Sequence, residues 1–234
     1  MTAQDYPEHG RGVKLLIVGY GKMGRMVEQL APEHGCEIAD RIDEGIGDWS
    51  VAADVAVDFS TADALRTNFP KYLDRKLPVV IGTTGWSAQE PELRSQAELA
   101  GLGVVASANF SIGLNLFQLV VAETARLMQP YGDYGAWIHE AHHATKRDAP
   151  SGTALLLRDI MVSAAYRRPI DMSSTRAGKI PGIHTVGFDG VSDTIELTHT
   201  ARDRRGFAAG ALHAARWIQG RRGWFTMQDV LRGG

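Results

Sequence analysis

Val13-Lys-Leu-Leu-Ile-Val-Gly-Tyr-Gly-Lys-Met-Gly24 runs from an apolar stretch directly into glycines at G-x-G-x-x-G spacing. A short apolar run ending at a glycine cluster reads as a strand buried on both faces, the kind found in parallel sheets. Met23 to Leu30 then carries apolar residues at helical spacing, and Pro32 and Gly35 close that segment. Strand, glycine turn and helix in this order suit a dinucleotide. Gly19, Gly21 and Gly24 permit a tight turn and bring a pyrophosphate close to a helix N-terminus, whose N–H groups and dipole favour negative charge. A ribose-binding acid is expected about 20 residues on, at the end of the second strand. Asp40 and Asp43 both qualify, and Asp43 lies nearer the strand end. An acid there favours an unphosphorylated ribose, whereas Arg41, Lys22 or Arg25 could offset its repulsion of a 2′-phosphate. NADH and NADPH therefore both stay open.

Outward from this unit the alternation continues. Cys36 to Ile42, Asp54 to Asp58, Pro78 to Ile81 and Gly103 to Ala106 read as strands, and Asp63 to Leu73 as a helix. Ser87-Ala-Gln-Glu90 has capping-box spacing and is expected to start the next helix. Strands alternating with helices over residues 13–106 predict a doubly wound, Rossmann-like parallel sheet. Gly82-Thr-Thr-Gly85 then falls at the carboxyl edge of that sheet, where small hydroxylated residues can approach a nicotinamide ribose. Phe110 could stack near the nicotinamide, or sit in the core.

The pattern changes beyond residue 110. One long amphipathic helix (Gly113 to Met128) precedes a strand-like Tyr134-Gly-Ala-Trp-Ile138, a helix from about Gly152 to Ala165, strand-like runs at Gly182 to Phe188 and Thr194 to Thr200, and a helix from about Gly206 to Gln219. Long helices beside antiparallel strands predict a second, α+β domain. The apolar Phe225 to Leu231 is expected to return to the first. The expected division is 1–109 with 212–234 for the dinucleotide-binding domain, and 110–211 for the other.

Composition narrows the partners. A net charge of -2 without blocks of like charge argues against nucleic acid. No apolar run approaches the roughly 20 residues that span a bilayer. The polar first dozen residues look like a frayed lead-in without the charged and apolar regions of a signal peptide. A single cysteine, Cys36, excludes an intramolecular disulfide framework and suits a reducing, cytoplasmic compartment.

The chemistry concentrates in Glu140-Ala-His-His-Ala-Thr-Lys-Arg-Asp-Ala-Pro-Ser-Gly-Thr-Ala154. His139-Glu-Ala-His-His143 matches H-E-x-x-H, a zinc-hydrolase pattern. That pattern works only on a helix, where both histidines share a face. The residues before it are strand-like and Pro150 follows soon after, so no metal is expected. His142 and Lys146 read instead as catalytic groups. A histidine can deliver a proton near pH 7, and a lysine stabilises developing negative charge. Ser151-Gly-Thr153 opens a helix whose N–H groups can hold a carboxylate, and Gly152 keeps that approach clear.

With these residues in view, the chain resembles the dihydrodipicolinate reductase family. The resemblance rests on Gly19 to Arg25, Asp58-Phe-Ser60, Gly82 to Gly85, Ala108 to Gly113, the Glu140 to Ala154 stretch, Ile195 to Thr200 and Phe207 to Ala211, which follow family order. It implies reduction of 4-hydroxy-tetrahydrodipicolinate, a small dicarboxylate, with NADH or NADPH in lysine biosynthesis through diaminopimelate. It assigns His142 as proton donor, Lys146 as catalytic lysine, and His143, Gly152 and Thr153 as substrate contacts. Cofactor contacts follow as Gly19, Tyr20, Gly21, Lys22, Met23 and Gly24, then Gly82, Thr83, Thr84, Ser107, Ala108, Asn109, Phe110 and Arg204, with Asp43 at the ribose. It also implies a homotetramer built through the second domain. The chain departs from the family pattern in a short segment from Asp43 to Asp54 and a compact Asp171 to Pro181. A non-catalytic dinucleotide-binding regulator is the alternative on the same fold.

Overall fold

The structure is a computed structural model that describes residues 12–233. The expected N-terminal lead-in falls almost wholly outside the described residues. The chain forms two compact units. Unit 1 takes it as far as Ile112 and again from Arg205, and unit 2 is Gly113–Arg204.

Unit 1 is a six-stranded, fully parallel sheet. Its strands are β1 (Val13–Val18), β2 (Cys36–Ile42), β3 (Val55–Asp58), β4 (Val79–Ile81), β5 (Gly103–Ala106) and β10 (Gly223–Phe225), in the order β10-β5-β4-β3-β1-β2. The apolar runs are continuous because both faces are covered. Leu15 and Ile17 of β1 enter one core with Val27 and Leu30 of helix α1 (Lys22–Leu30), whereas Leu16 and Val18 enter the other with Leu65 and Phe69 of α2 (Ala62–Arg75). Each such side chain stabilises the fold by about 1.5–3 kcal/mol. β1 lies between β2 and β3, so the connection direction reverses there, which is where open α/β sheets bind ligands.

Ser87-Ala-Gln-Glu90 departs from expectation. Ser87–Gln89 is a short 3₁₀ turn, and α3 (Glu90–Ala100) begins after it without a side-chain cap. Proline in its first turn fixes φ and has no N–H to satisfy, so the helix starts there instead.

The chain re-enters unit 1 through α6 (Arg205–Trp217), then β10 and α7 (Met227–Arg232). The expected boundaries at 110 and 211 differ from those observed for a packing reason. α6 is one continuous helix, and Ala208, Ala211, Leu212, Ala214 and Ala215 all lie in the unit 1 core. Phe225 to Leu231, expected as one packing segment, is divided between a strand and a helix capped by Thr226.

Unit 2 holds α4 (Ile112–Met128, whose first residue belongs to unit 1), β6 (Gly135–His142), α5 (Gly152–Ser163), β7 (Ile170–Arg176), β8 (Ile183–Asp189) and β9 (Thr194–Thr200). Its sheet runs β7-β6-β8-β9. The strands were expected to be antiparallel, yet the sheet is mixed: β6 and β7 are parallel, and β8 is antiparallel to both β6 and β9. The difference comes from β7, whose polar sequence gave no strand signal and which returns to the β6 edge after α5. Ala136 and Ile138 of β6, with Val186 and Phe188 of β8, pack with Leu157 and Met161 of α5 and Val121 and Ala125 of α4. Among the described residues no helix is long and apolar enough to cross a membrane.

Candidate active site

In unit 1 the glycine turn follows β1. Gly19 has φ of 85°, and a Cβ on it would come within 2.5 Å of the Ser60 backbone nitrogen. A Cβ on Gly24 would lie 2.2 Å from the Gly19 carbonyl oxygen. Gly21 differs: nothing lies within 4 Å of its Cβ position, and as N-cap of α1 it offers no side chain to the helix's first N–H groups. Two glycines therefore make the turn and the third leaves open space before a helix start. That cradle fits a dinucleotide pyrophosphate.

The strand-end acids separate. Asp43 Oδ1 accepts from the Tyr20 N–H at 3.1 Å and so sits at the turn, whereas Asp40 Oδ2 accepts from the Asp48 N–H at 2.8 Å and organises the short loop beyond β2. Arg41 pairs with Glu28, as does the Tyr20 hydroxyl, and Arg25 stacks over the Tyr20 ring. Lys22 is exposed and Met23 half-buried at the start of α1.

Asp58, fully buried at the end of β3, joins the neighbouring loops. It accepts from the Ser60 hydroxyl at 2.6 Å, the Tyr72 hydroxyl at 2.7 Å and the Thr83 hydroxyl at 2.9 Å. Burial first, and then the Asp58 charge, push the Tyr72 hydroxyl well above its ordinary pKa, so it remains a donor. Gly82 lies against Phe59, and Thr84 is exposed beside the buried Thr83. After β5, the Ser107 hydroxyl donates to the Asn109 carbonyl at 2.8 Å and fixes the turn around Ala108. Phe110 is 1% exposed and meets Phe59 edge-on, so its ring belongs to the core and is not open for stacking on a ligand. Arg204 sits in an exposed bend before α6.

In unit 2, β6 extends to His142, so H-E-x-x-H lies on a strand end and not a helix. His139 faces away from Glu140 and hydrogen-bonds Ser173 at 2.9 Å, while His143 is exposed and pairs with Thr145 at 2.8 Å. The strand's rise sets His139 and His143 about 13 Å apart, and its alternation turns Glu140 to the opposite face, so the zinc reading loses both its ligand pair and its base. What the fold gathers is different: Glu140, His142 and His184, all buried, with ligand-type atoms within 4.8 Å of one another. Arg176 Nη2, 2.6 Å from Glu140 Oε1, already supplies the positive charge there.

Glu140 is 1% exposed. Burial alone would push its pKa up, but hydrogen bonds from Arg176, Ser174 and His142 hold it down at about 2. His142 Nδ1 pairs with Glu140 Oε2, and the His142 ring meets His184 edge-on at 5.0 Å. The Ser151 hydroxyl caps α5 by accepting from the Ala154 N–H at 3.2 Å and pairs with His184 Nε2 at 3.1 Å. The hydroxyl is thus free to donate its own proton to a neutral His184.

Beyond β6, Lys146 Nζ holds both oxygens of Asp148, at 2.7 and 2.8 Å. The Asp148 carboxyl is lowered by this lysine first and also draws on the Gly152 N–H. The lysine and the α5 start therefore already hold a carboxylate. Nothing lies within 4 Å of a Cβ on Gly152, and Thr153 is half-buried in the same turn. Glu140, Arg176, Ser151 and His184 supply the interior of the site; of these, only Glu140 and Ser151 belong to the Glu140 to Ala154 stretch, and Arg176 and His184 come from β7 and β8.

Burial, then the charge of His142, lowers His184 from 6.5 to about 4, with His199 and Lys146 acting in the same direction and Glu140 against it. Its folded pKa lies below its unfolded value, so unfolded chains take up more protons between these limits. Stability is therefore fully present above about pH 6.5 and is lost as pH falls toward 4, by at most about 3 kcal/mol. Urea unfolding from pH 7 to 4 is expected to show this slope, and His184→Gln to flatten it. An unchanged slope in the variant would assign the effect elsewhere.

Comparison with known proteins agrees with both units. Residues 13–110 match the family model described as dihydrodipicolinate reductase, N-terminus, and residues 113–231 the one described as its C-terminus. The 4-hydroxy-tetrahydrodipicolinate reductase of Christiangramia forsetii is 34% identical over 94% of this chain and 98% of its own length. That of Methanoregula boonei is 34% identical over 93% of this chain and 97% of its own. A dipicolinate-bound dihydrodipicolinate reductase from Paenisporosarcina sp. TG-14 shares the fold, with a TM-score of 0.75 at 21% identity over 92% of this chain and 97% of that one. With both halves matched over nearly their full length, the chain belongs to the dihydrodipicolinate reductase family.

Proposed function

We propose that the protein reduces 4-hydroxy-tetrahydrodipicolinate to tetrahydrodipicolinate with NADH or NADPH, in the diaminopimelate route to lysine. The observation that carries this reading is one short segment in which a buried, carboxylate-paired histidine is followed by a lysine and a helix start that already hold a carboxylate. A dicarboxylate substrate can take the place of Asp148 on the Lys146 ammonium and the Gly152 and Thr153 N–H groups, with exposed His143 at its second carboxylate. The family relative that carries bound dipicolinate, also a dicarboxylate, supports this class of ligand.

The net reaction takes up one hydride and one proton and releases one water. The nicotinamide, when bound, supplies the hydride. Gly19 to Gly24 hold its pyrophosphate, Asp43 its adenine ribose, and Gly82 to Thr84 with Ser107 to Asn109 line its other end. Phe110 contributes by anchoring that last turn in the core, and Arg204 by its charge. In unit 2, His142 gives up a proton from the ring nitrogen not bonded to Glu140, and Lys146 offsets the substrate's charge. A dihydrodipicolinate synthase supplying fresh substrate allows the test: NADH and NADPH loss are followed separately. No oxidation of either would sink the reading.

Asp43 at the ribose also sets the preference. A 2′-phosphate would meet its carboxylate, while Arg41 is engaged by Glu28 and Arg25 by Tyr20. kcat/KM is expected to favour NADH by about tenfold or more, a difference of about 1.4 kcal/mol. Equal or better use of NADPH would contradict it.

The same reading includes a homotetramer in the cytoplasm. The unit 2 sheet presents a face away from α4 and α5 that carries Trp137 over Gly187 and the Thr185–Thr198 hydroxyl pair, and β9 is a largely exposed edge strand. Light scattering is expected to give about four times the 25.4 kDa chain mass.

A further inference from the structure

We propose that Glu140 is the positioning residue of this site: it dictates which nitrogen of His142 carries the proton and, with the same carboxylate, fixes the start of α5. The proposal rests on the reading of His142 as proton donor.

Glu140 lies in phase with Ala136 and Ile138 on the buried row of β6, where a carboxylate persists only if every oxygen is occupied. Oε2 faces His142 Nδ1. Oε1 accepts from Arg176 Nη2 at 2.6 Å and from the Ser151 N–H at 3.3 Å. The same Arg176 nitrogen donates to the Asp148 carbonyl at 2.5 Å, so the loop bearing Lys146 is tied to this carboxylate as well.

An ionised carboxylate only accepts hydrogen bonds. His142 Nδ1 must therefore bear hydrogen, and exchange with the substrate goes through Nε2. The room beside Nε2 comes from Gly182, which has φ of 134° and whose Cβ would stand 3.3 Å from that nitrogen.

Glutamine at position 140 would reverse the arrangement. The Arg176 guanidinium and the Ser151 N–H are obligate donors, so the amide oxygen must face them. The amide NH₂ then points at His142 Nδ1, which must accept, and the neutral ring is driven to carry its hydrogen on Nε2. The imidazolium needed to give up a proton is opposed by the same NH₂.

The test uses ¹⁵N-histidine NMR of the full chain, with the His142 signal assigned by its loss in His142→Gln, together with steady-state kinetics. Unsubstituted protein is expected to show neutral His142 as the Nδ1–H tautomer. Glu140→Gln is expected to shift it to Nε2–H and to lower kcat by about 10²-fold or more, with KM for NADH changed less than about twofold. A packing role alone would leave the tautomer untouched. An Nε2–H tautomer in the unsubstituted protein would overturn the proposal, as would full turnover in Glu140→Gln. Should that variant fail to fold, the tautomer of the unsubstituted protein decides alone. Absence of reductase activity in the unsubstituted protein would count against the functional reading, whereas the tautomer would still decide what Glu140 does.

Discussion

Exchanging His142 for glutamine lowers kcat by about 10²–10⁴-fold, the range for removing a positioned general acid, and leaves NADH binding within about twofold. Glutamine keeps comparable bulk at a site that is 9% exposed and can still bond Glu140, so folding should survive. What it lacks is a ring nitrogen that can release a proton to the substrate and take one back. Stopped-flow measurement of NADH loss with fresh substrate gives kcat, and fluorescence titration gives the NADH affinity. Loss of both together would point to misfolding, and loss of neither would remove His142 from the mechanism.

Gly21→Ala and Gly24→Ala are expected to separate dinucleotide binding from stability. At Gly21, φ is -75°, a value any residue adopts, and nothing lies within 4 Å of a Cβ. The melting temperature should hold, while the methyl group enters the space a pyrophosphate would use and weakens NADH binding by about 10²-fold, or about 2.7 kcal/mol. At Gly24 the added carbon would lie 2.2 Å from the Gly19 carbonyl oxygen, which is backbone and cannot swing aside. That variant should lose binding and melt several degrees lower, because α1 must shift off β1. Calorimetry and titration on both variants check the pair. Unaltered NADH affinity in Gly21→Ala would place the pyrophosphate elsewhere.

The parallel sheet was legible because burial on both faces makes each strand an unbroken apolar word, and glycines punctuate the words. Unit 2 was harder for a reason tied to its chemistry. Ile170, Met172, Ser174 and Arg176 form one row of β7, and the last two are polar because both hydrogen-bond Glu140. A strand serving a polar site loses the alternation that would reveal it. Missing β7 also hid the parallel pairing beside β6. Two signals were nonetheless present. Glu140 shares its period with Ala136 and Ile138, and His184 shares its period with Val186 and Phe188. A charged or titratable residue in step with a core row marks a buried polar site. His142 and Lys146 could be singled out because their spacing carried meaning within one segment. Arg176 and His184 reach the site only through strand pairing, which no local pattern encodes. The alternatives Asp40 and Asp43 were separated by a single backbone hydrogen bond from Tyr20, again beyond the reach of spacing.

The return of the chain to unit 1 through α6 and β10 also orders the protein's birth. Residues 113–204 leave the ribosome before residue 205, so the reactive half has its whole sequence while the nucleotide-holding half still lacks a covering helix and an edge strand. Until then the α6 side of the sheet exposes apolar surface such as Ile17 and Val57, which α6 later helps to cover. Partly made sheets with bare faces are prone to clump. The newborn chain is therefore most vulnerable in the interval after unit 2 has been made and before α6 and β10 have covered and completed the unit 1 sheet.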